Sequence, residues 1–305
     1  MGISLQLSAS SLQDFADCPR RFQLRHVLGV HWPLPTTETV DVWEIRQQMA
    51  QDFHRLAQQY LLGIPAATLT KSVDDPDVKR WWQAFTDYAL GLRSAEVLPE
   101  VGLSIPFQGH RLYARYDALA LFEASGHEEI KALGRDEAAA AFVILDWKTY
   151  RRRPTRGWLA SRLQTAVYPL VLAQGCQLFG IRAPSAPEEI ELRYWLAEDP
   201  QNPESFLYSA GRYAADLERL EGLVADINRL LQPRQRSTLK ETWPLTADMQ
   251  LCRFCDYRSL CDRGSQGSDV NLAEAFDEDD LDQAMAAAPG DSADSQVAET
   301  AFWQG

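Results

Sequence analysis

The sequence lacks any long apolar run. Hydrophobic residues make up 46% of its 305 positions, yet no stretch approaches the roughly 20 apolar residues that a membrane-spanning helix needs. The N-terminal segment MGISLQLSASSLQDF also lacks the basic flank and continuous apolar core of a secretory signal. We therefore expect a soluble, cytoplasmic protein. The sequence contains no G-x-x-x-x-G-K-S/T loop either, so any helicase that acts with it must be a separate chain.

Basic residues are scarce, with 30 Lys and Arg against 43 Asp and Glu and a net charge of −13. Ten of the acidic residues lie between Asp269 and Gly305, a segment without Lys or Arg; the first 268 residues keep 33 acidic and 30 basic side chains, a net charge of −3. Global charge therefore neither supports nor excludes nucleic acid as a partner. One basic cluster could bind phosphates or form a solvated surface: Arg151, Arg152, Arg153, Arg156 and Arg162.

Local patterns predict a mixed α/β domain over residues 1–264 and an acidic, disordered tail over residues 265–305. Apolar spacing and capping residues predict helices from Ser8 or Ser10 onward and over about 42–62, 76–92, 158–175 and 203–231. Strands are predicted in VGLSIPF and HRLYARYDALALF, joined at Gln108-Gly109, in FVILDWKT, and over about 189–196. Residues 123–141 are predicted to form a loop or short helix. This order suits a small mixed sheet flanked by helices.

The FVILDWKT strand ends with a carboxylate and a lysine two residues apart. On a strand, Asp146 and Lys148 share one face while Trp147 points to the other. Burying such a pair at the end of an apolar strand is costly unless something uses it. A divalent metal would use it, because Asp146 can serve as a ligand and Lys148 can orient or deprotonate a water. Asp117 of the preceding hairpin can supply a second carboxylate to the same metal. An ordinary strand-end ion pair is the competing interpretation of this tripeptide.

Other polar residues extend the pattern along the chain. His54 lies within the helix predicted over 42–62, and Gln164 and Tyr168 are four residues apart, so they share a face of the helix after the strand. Their order resembles that of the RecB-like family in the PD-(D/E)xK nuclease superfamily, and the residues that carry the resemblance are His54, Asp117, Asp146, Lys148, Gln164 and Tyr168. Family members often carry a glycine shortly before the histidine, and RQQMAQDFHRL departs from this pattern.

The resemblance implies a restriction-endonuclease-like core and a role for each residue. His54, Asp117 and Asp146 would coordinate Mg²⁺ or Mn²⁺, together with the backbone carbonyl of Trp147. Lys148 would position the nucleophilic water. Gln164 and Tyr168 would contact the substrate strand or support the lysine.

Four of the five cysteines suggest a second centre. Cys252, Cys255 and Cys261 form C-x2-C-x5-C, a spacing that lets several sulfurs converge, and Cys18 is the candidate fourth ligand. An iron–sulfur cluster, zinc and free thiols are all open on spacing alone, although structural zinc usually takes two C-x2-C pairs. Disulfides are not expected in a cytosolic protein. We expect Cys176 to be a core thiol.

The arrangement is similar to the 4Fe–4S site of AddB-type nucleases, exonuclease V and CRISPR-associated nucleases of this group. The N-terminal S-x-S-x-L-x-x-F-x-x-C-P-x-x-F also resembles the family's opening motif. The resemblance implies a metal-dependent DNA nuclease, acting as an exonuclease on single-stranded DNA in repair or recombination, whose cluster joins its two ends. The alternatives are a non-catalytic DNA-binding or scaffold subunit of a helicase–nuclease complex, stabilised by iron–sulfur or zinc, and an electron-transfer protein, which would leave the Asp146–Lys148 strand without a role.

Overall fold

The computed structural model describes residues 4–30, 38–122, 141–232, 243–252 and 255–264, with side chains from residue 45 onward in the second range. The segment 123–140 and the tail 265–305, for which we predicted a loop or short helix and disorder, lie outside these ranges. The described residues form one mixed sheet covered by helices on both faces. The α/β architecture predicted from the sequence is confirmed.

The sheet is organised around its third strand. Its members are β1 (Gln6–Leu7), β2 (Glu96–Phe107), β3 (His110–Leu121), β4 (Phe142–Lys148), β5 (Ile190–Leu196) and β6 (Glu204–Leu207). On one edge, β3 pairs antiparallel with β2 along its whole length. On its other edge, β3 pairs with β1 in parallel near its start and with β4 antiparallel near its end. The sheet continues from β4 to β5 in parallel and from β5 to β6 antiparallel.

The hairpin between β2 and β3 is confirmed at the predicted turn. Gln108 and Gly109 have φ angles of 46° and 85°, the positive values that both central residues of a tight type I′ turn require. β2 begins at Glu96, earlier than the strand predicted from Val101. The Pro99 within this extension argues against a central strand, but β2 is an edge strand, where a missing N–H is tolerated.

Eight α-helices surround the sheet in the described part of the chain: α1 (Ala9–Asp17), α2 (Pro19–Phe22), α3 (Glu38–Leu61), α4 (Ala66–Leu69), α5 (Pro76–Ala89), α6 (Arg156–Ser161), α7 (Leu163–Gly175) and α8 (Ala210–Leu231). Ser8 is the N-cap of α1: its hydroxyl accepts from the Ser11 N–H, and the Ser11 hydroxyl accepts from the Ser8 N–H. This capping box fixes the first turn of α1 directly after β1. α2 runs into a π-helical turn over Gln23–Val27.

Two predicted helices are wrong at their N-terminal parts. The helix over 158–175 is two helices, because Arg162 is extended (ψ 142°) and ends α6 before α7 begins. The helix predicted from 203 begins only at Ala210, because Ser209 caps it through the Arg212 N–H and residues 204–207 pair with β5 as β6. The two-residue β1 was not predicted, since two residues are too few to show a period.

The sheet separates two apolar clusters. In β4, Phe142 and Ile144 face the side covered by α1, α7 and α8, whereas Val143 and Trp147 face the side covered by α3 and α5. Alternation along the strand therefore places Asp146 on the α7 side. Among the described helices, none has the length and apolar character needed to cross a membrane.

Candidate functional site

β3 and β4 separate at the point where the polar residues of β4 begin. Their last pair is Ala118 with Leu145, whereas β4 stays paired with β5 through Lys148. The same register would set Asp117 opposite Asp146, but here the Trp147 N–H donates to Asp117 Oδ2 at 2.7 Å. This fork between the strands brings the two predicted carboxylates to one place.

The β2–β3 ribbon changes its buried face beside the fork. Tyr116 contributes to the cluster on the α7 side, but past Asp117 it is Leu119 that does so, which reverses the even–odd alternation. Asp117 lies at this reversal with its side chain 16% exposed. Because the buried face of β3 changes here, the Asp117 side chain belongs to neither apolar cluster and lies at the fork.

A third carboxylate lies across the ribbon and was not predicted from the sequence. Glu100 has a φ of 53°, a left-handed conformation that is uncommon for residues other than glycine. Burial and the negative charge of Asp117 raise the pKa of the Glu100 carboxyl, while Arg115 (3.5 Å) and His54 lower it. Its only signal in the sequence was an acidic residue inside the mainly apolar stretch VLPEVGL, which carries no information about backbone angle.

His54 reaches the fork from α3. Its Nδ1 lies 3.1 Å from Asp117 Oδ1. Burial disfavours the imidazolium, but the charge and hydrogen bond of Asp117 and the charge of Asp146 raise the pKa of His54. Burial likewise opposes ionisation of Asp117, yet His54, the Trp147 N–H and Lys148 lower the pKa of that carboxyl. Each group of the pair therefore favours the charged form of the other.

Asp146 is held by two neighbours on the α7 side of the sheet. Lys148 Nζ lies 3.1 Å from Asp146 Oδ2, and both side chains are about 5% exposed. Gln164 Nε2, in the first turn of α7, donates to Asp146 Oδ1 at 2.8 Å. The Lys148 ammonium also lies 5.8 Å from the ring centres of Tyr150 and Tyr194. The lysine is thus fixed between its carboxylate and two aromatic rings.

Tyr168 follows Gln164 by one turn of α7, as predicted. Burial and the nearby charge of Asp146 raise the pKa of Tyr168 well above its ordinary value. The hydroxyl of Tyr116 donates to the backbone carbonyl of Tyr168 at 3.0 Å, and the two rings meet edge to face at 5.2 Å. Tyr168 is therefore a protonated, well-anchored hydrogen-bond donor beside the carboxylates.

The polar side chains at the fork form hydrogen bonds and ion pairs with one another. In the part of the chain that the structure describes, no group of three or more His, Cys, Asp or Glu side chains has a geometry that could hold a metal ion as it stands. The chemistry of the set nevertheless suits a hard divalent cation, because carboxylates and an imidazole converge closely enough for their charges to interact. Binding would require the neutral form of His54 and would loosen the contact of Lys148 with Asp146.

Two of the five predicted phosphate-binding arginines are engaged within the protein. Arg153 pairs with Asp199 and Glu204, and Arg156 pairs with Glu204 at 2.8 Å. The Arg156 guanidinium also lies 4.3 Å from the ring centre of Phe206. These contacts tie the segment after β4 to the β5–β6 hairpin, so Arg153 and Arg156 have a structural role.

The other three arginines are placed differently. Arg151 and Arg152 are exposed at the start of the same segment. Arg162 is half-buried at the break between α6 and α7, with its guanidinium 5.1 Å from the ring centre of Trp158. Within the cluster, Arg151 and Arg152 lie nearest β4 in sequence.

The four cysteines that the sequence grouped do not form a metal-holding group in the part of the chain that the structure describes. Cys18 is buried directly after α1, whereas Cys252, Cys255 and Cys261 are half-buried in the C-terminal segment. Burial raises the pKa of Cys255 to about 12. Cys176 lies elsewhere, 1% exposed in the main core beside Tyr116, and burial raises its pKa to about 11. All five are free thiols.

The chain is similar to known proteins in sequence family and in structure. Among solved structures, a protein from Eubacterium rectale described as a candidate exonuclease aligns with a TM-score of 0.44 and 11% identity, over 74% of this chain and 81% of its own. No curated protein matches the chain. The model of the PD-(D/E)XK nuclease superfamily matches residues 6–262, a range that runs from β1 to the last cysteine and contains every residue of the fork. This chain belongs to the PD-(D/E)XK nuclease superfamily.

Proposed function

We propose that the chain is a Mg²⁺- or Mn²⁺-dependent deoxyribonuclease that acts as an exonuclease on single-stranded DNA in repair, recombination or related DNA processing. The observation that carries the proposal is the convergence of Asp117, Asp146 and Lys148 at the β3–β4 fork. A nuclease needs carboxylates for its cation and a positive group for its attacking water, and this fork supplies both.

The cation would be held by Asp117, Asp146 and His54, with the carbonyl of Trp147 as a further ligand. The Trp147 N–H points towards β3, where it donates to Asp117, and the N–H and C=O of one strand residue point to the same side. The next carbonyl, of Lys148, accepts from Ala197 on the β5 side, as this alternation requires. When bound, the cation would polarise the scissile phosphate and lower the pKa of a water.

The remaining residues orient the reacting groups. Lys148 would hold the attacking water and offset the negative charge that develops on the phosphate, because its ammonium lies 3.1 Å from Asp146. Gln164 keeps the Asp146 carboxylate in place through a 2.8 Å hydrogen bond. Tyr168 would donate its proton in a hydrogen bond to the substrate strand.

We also propose that Cys18, Cys252, Cys255 and Cys261 bind a 4Fe–4S cluster. The support is the sequence pattern of Cys18 with C-x2-C-x5-C and the burial of Cys176 in the main core; as they stand, the described sulfurs are not arranged to hold a metal. When bound, the cluster would supply a covalent link between the two ends of the chain, for which no redox change is needed. Zinc would serve the same structural purpose.

The proposal is tested with anaerobically purified protein and end-labelled DNA in the presence of Mn²⁺ or Mg²⁺. We expect wild type to degrade linear single strands from an end and to spare circular single strands, and Asp146→Asn and Lys148→Met to be inactive. Asp226→Asn, on the exposed side of α8, is the matched control and should stay active. Cleavage of circles would replace the exonuclease assignment with an endonuclease, and an inert wild type that retains its metal centre would favour the non-catalytic DNA-binding subunit.

A further inference from the structure

The N-terminal part of α7, residues 163–168, carries two of the residues at the fork. Gln164 donates to Asp146 Oδ1 at 2.8 Å, and Tyr168 follows one turn later. Pro169 lies inside the helix directly after them. Because proline has no N–H, the helical hydrogen bond that residue 169 would make to the Thr165 carbonyl is missing. The N-terminal part of α7 therefore depends more than usual on contacts from outside the helix.

A glutamine of α1 supplies one of these contacts. The Leu163 N–H, at the start of α7, donates to Gln13 Oε1 at 3.1 Å. The first N–H groups of a helix have no partner within the helix, and Arg162 at the N-cap position makes no capping hydrogen bond with its side chain. Gln13 therefore caps α7 from a different helix, 150 positions earlier in the chain.

The other end of the Gln13 amide faces a carboxylate. Its Nε2 donates to Asp17 Oδ1 at 2.8 Å. A backbone N–H can only donate and a carboxylate can only accept, so Leu163 and Asp17 together fix the orientation of the amide. Asp17 Oδ2 in turn lies 2.7 Å from Nη2 of Arg21, whose side chain is 7% exposed. Gln13 thus connects α7 to the buried ion pairs of the N-terminal segment.

These ion pairs reach the other end of the chain. The Asp14 side chain is 1% exposed and contacts three basic groups, Arg21 Nε at 2.8 Å, Arg25 Nη1 at 3.1 Å and His26 Nε2 at 2.7 Å. We call these four residues the Asp14 network. Arg25 Nη2 also lies 2.9 Å from Asp256 Oδ2 in the C-terminal segment. Hydrogen bonds and ion pairs therefore run without a break from that segment to the start of α7.

The sheet holds the same part of α7 by separate contacts. The Thr165 hydroxyl lies 2.8 Å from the Tyr194 hydroxyl on β5, and the Tyr116 hydroxyl of β3 donates to the Tyr168 carbonyl at 3.0 Å. These contacts come from the sheet that forms the fork, so they keep the fork assembled whatever the chain ends do. Loss of the Gln13 contact should therefore loosen the orientation of the Asp146 carboxylate without removing it from the fork.

We propose that Gln13 is a positioning residue of the nuclease site. By capping α7 it holds Gln164 against Asp146, and through Asp17 and the Asp14 network it makes this support depend on the docking of the C-terminal segment. This role rests on the nuclease part of the proposed function. Because catalytic groups must be held close to the reacting geometry, small errors of orientation lower the rate of the chemical step. The effect should therefore appear in kcat and not in KM.

The experiment compares DNA cleavage by full-length wild type, Gln13→Met and Gln13→Glu. The methionine keeps the side-chain volume but removes the acceptor, and we expect kcat to fall about tenfold with KM nearly unchanged. The glutamate keeps an oxygen for the Leu163 N–H and should recover part of kcat. Gln83→Met, at an exposed position of α5, is the matched control. Hydrogen exchange of peptides that cover residues 163–168 should be faster in Gln13→Met than in wild type and in the control.

The dependence on the chain ends is tested with Arg25→Gln, which removes the contact between the Asp14 network and Asp256. We expect kcat to fall about threefold in the wild-type background, within the range of couplings carried through such networks. The same substitution should cost nothing further in Gln13→Met, because the connection to α7 is already broken there. Substitutions that act independently would instead give additive losses.

Wild-type kcat together with wild-type hydrogen exchange in Gln13→Met would overturn the positioning role. Additive losses in the double variant would overturn its dependence on the C-terminal segment. Failure of the nuclease proposal is recognised separately, as an inert wild type. The exchange comparison needs no cleavage, so faster exchange of residues 163–168 in both Gln13→Met and Arg25→Gln would still support the connection from the chain ends to α7.

Discussion

The strand fork and the terminal clamp, which comprises residues 9–30, 243–252 and 255–264, assemble polar residues in opposite ways. At the fork, Asp117 and Asp146 lie on neighbouring strands, and the change of buried face in the β2–β3 ribbon places Asp117 beside β4. In the clamp, Gln23 contacts Trp243 and Arg25 contacts Asp256, 220 and 231 positions later, so side-chain contacts join the ends of the chain. The fork pairs its charges internally, whereas the Asp14 network of the clamp extends through Arg25 to Asp256 in the other half.

The difference indicates how each region should fail. Backbone pairing holds the fork, so exchanging one of its side chains should remove chemistry and leave the fold. The clamp depends on buried ion pairs and on Trp243 against Phe22, so exchanging its residues should release the chain ends and leave the fork assembled. The predictions below test this separation, from the largest expected effect to the smallest.

Lys148→Met should produce the largest loss of activity. It removes the ammonium that lies 3.1 Å from Asp146 while keeping most of the side-chain volume. We expect DNA cleavage to fall by about 100-fold or more, the scale of removing one group that stabilises charge in the transition state. Cleavage rates on end-labelled DNA measure the effect, and circular dichroism with metal content checks that fold and clamp are retained. Cleavage within a few-fold of wild type would assign the lysine to structure alone.

Asp14→Asn should produce the largest loss of stability. The carboxylate is 1% exposed and contacts three basic side chains, and removing one partner of a buried charge network costs about 3–5 kcal/mol of unfolding free energy. Denaturant titration measures it, with Asp226→Asn as control. The Asp226–Arg229 pair is more than half exposed on both sides, and such pairs contribute about 0–1 kcal/mol. Equal effects of the two substitutions would contradict the buried network.

The same carboxylate should make the clamp sensitive to acid. Burial opposes ionisation of Asp14, but His26, Arg21 and Arg25 outweigh it and lower its pKa below the ordinary 3.8. A lowered pKa means that the stabilisation is fully present above that ordinary value and is lost as the pH falls through the folded value. Stability measured from neutral pH downward should therefore fall less steeply for Asp14→Asn than for wild type. Parallel curves would refute the shift.

The fork could be predicted from the sequence because its information is local. Period-two alternation placed Asp146 and Lys148 on one face, and four-residue spacing placed Gln164 and Tyr168 on one side of α7. Glu100 could not be found, since it enters the site through a left-handed backbone angle that no residue pattern records.

Long-range partners explain what else the sequence did not reveal. The ESFL segment reads as the start of a helix until β5 offers it an edge to pair with. Arg153 and Arg156 read as phosphate ligands until Glu204, about 50 positions later, is placed beside them. The partnership of Cys18 with the later cysteines stays a prediction from motif order, whereas the contact of Arg25 with Asp256 depends on how the two ends dock.

Arg151 and Arg152, which lie nearest β4 in sequence, should contribute more to DNA binding than Arg156. Arg151→Gln and Arg152→Gln should each weaken affinity for single strands of any sequence and reduce the slope of log affinity against log salt by about 1 if each contacts one phosphate. Arg156→Gln should change that slope less, because its guanidinium is engaged by Glu204 and Phe206. Fluorescence anisotropy with the inactive Asp146→Asn protein, over a series of salt concentrations, provides the slopes. The reverse ranking would show that the Glu204 contacts open on binding.

Substitution of Cys176 should have the smallest effect, because burial alone does not make a cysteine part of the clamp. Cys176 is more deeply buried than Cys255, yet it lies in the main core and not beside the other cysteines. Cys176→Ala should therefore cost only about 1 kcal/mol of unfolding free energy, typical of a small truncation in a core, with metal content unchanged. Cys255→Ala should instead abolish metal retention and expose the C-terminal segment to limited proteolysis, since both the ligand and the link between the chain ends are lost. The metal content of the two variants is measured side by side. Loss of metal from Cys176→Ala would show that this thiol belongs to the metal site. Full retention of metal by Cys255→Ala would show that the clamp holds no cofactor and is stabilised by the Asp14 network.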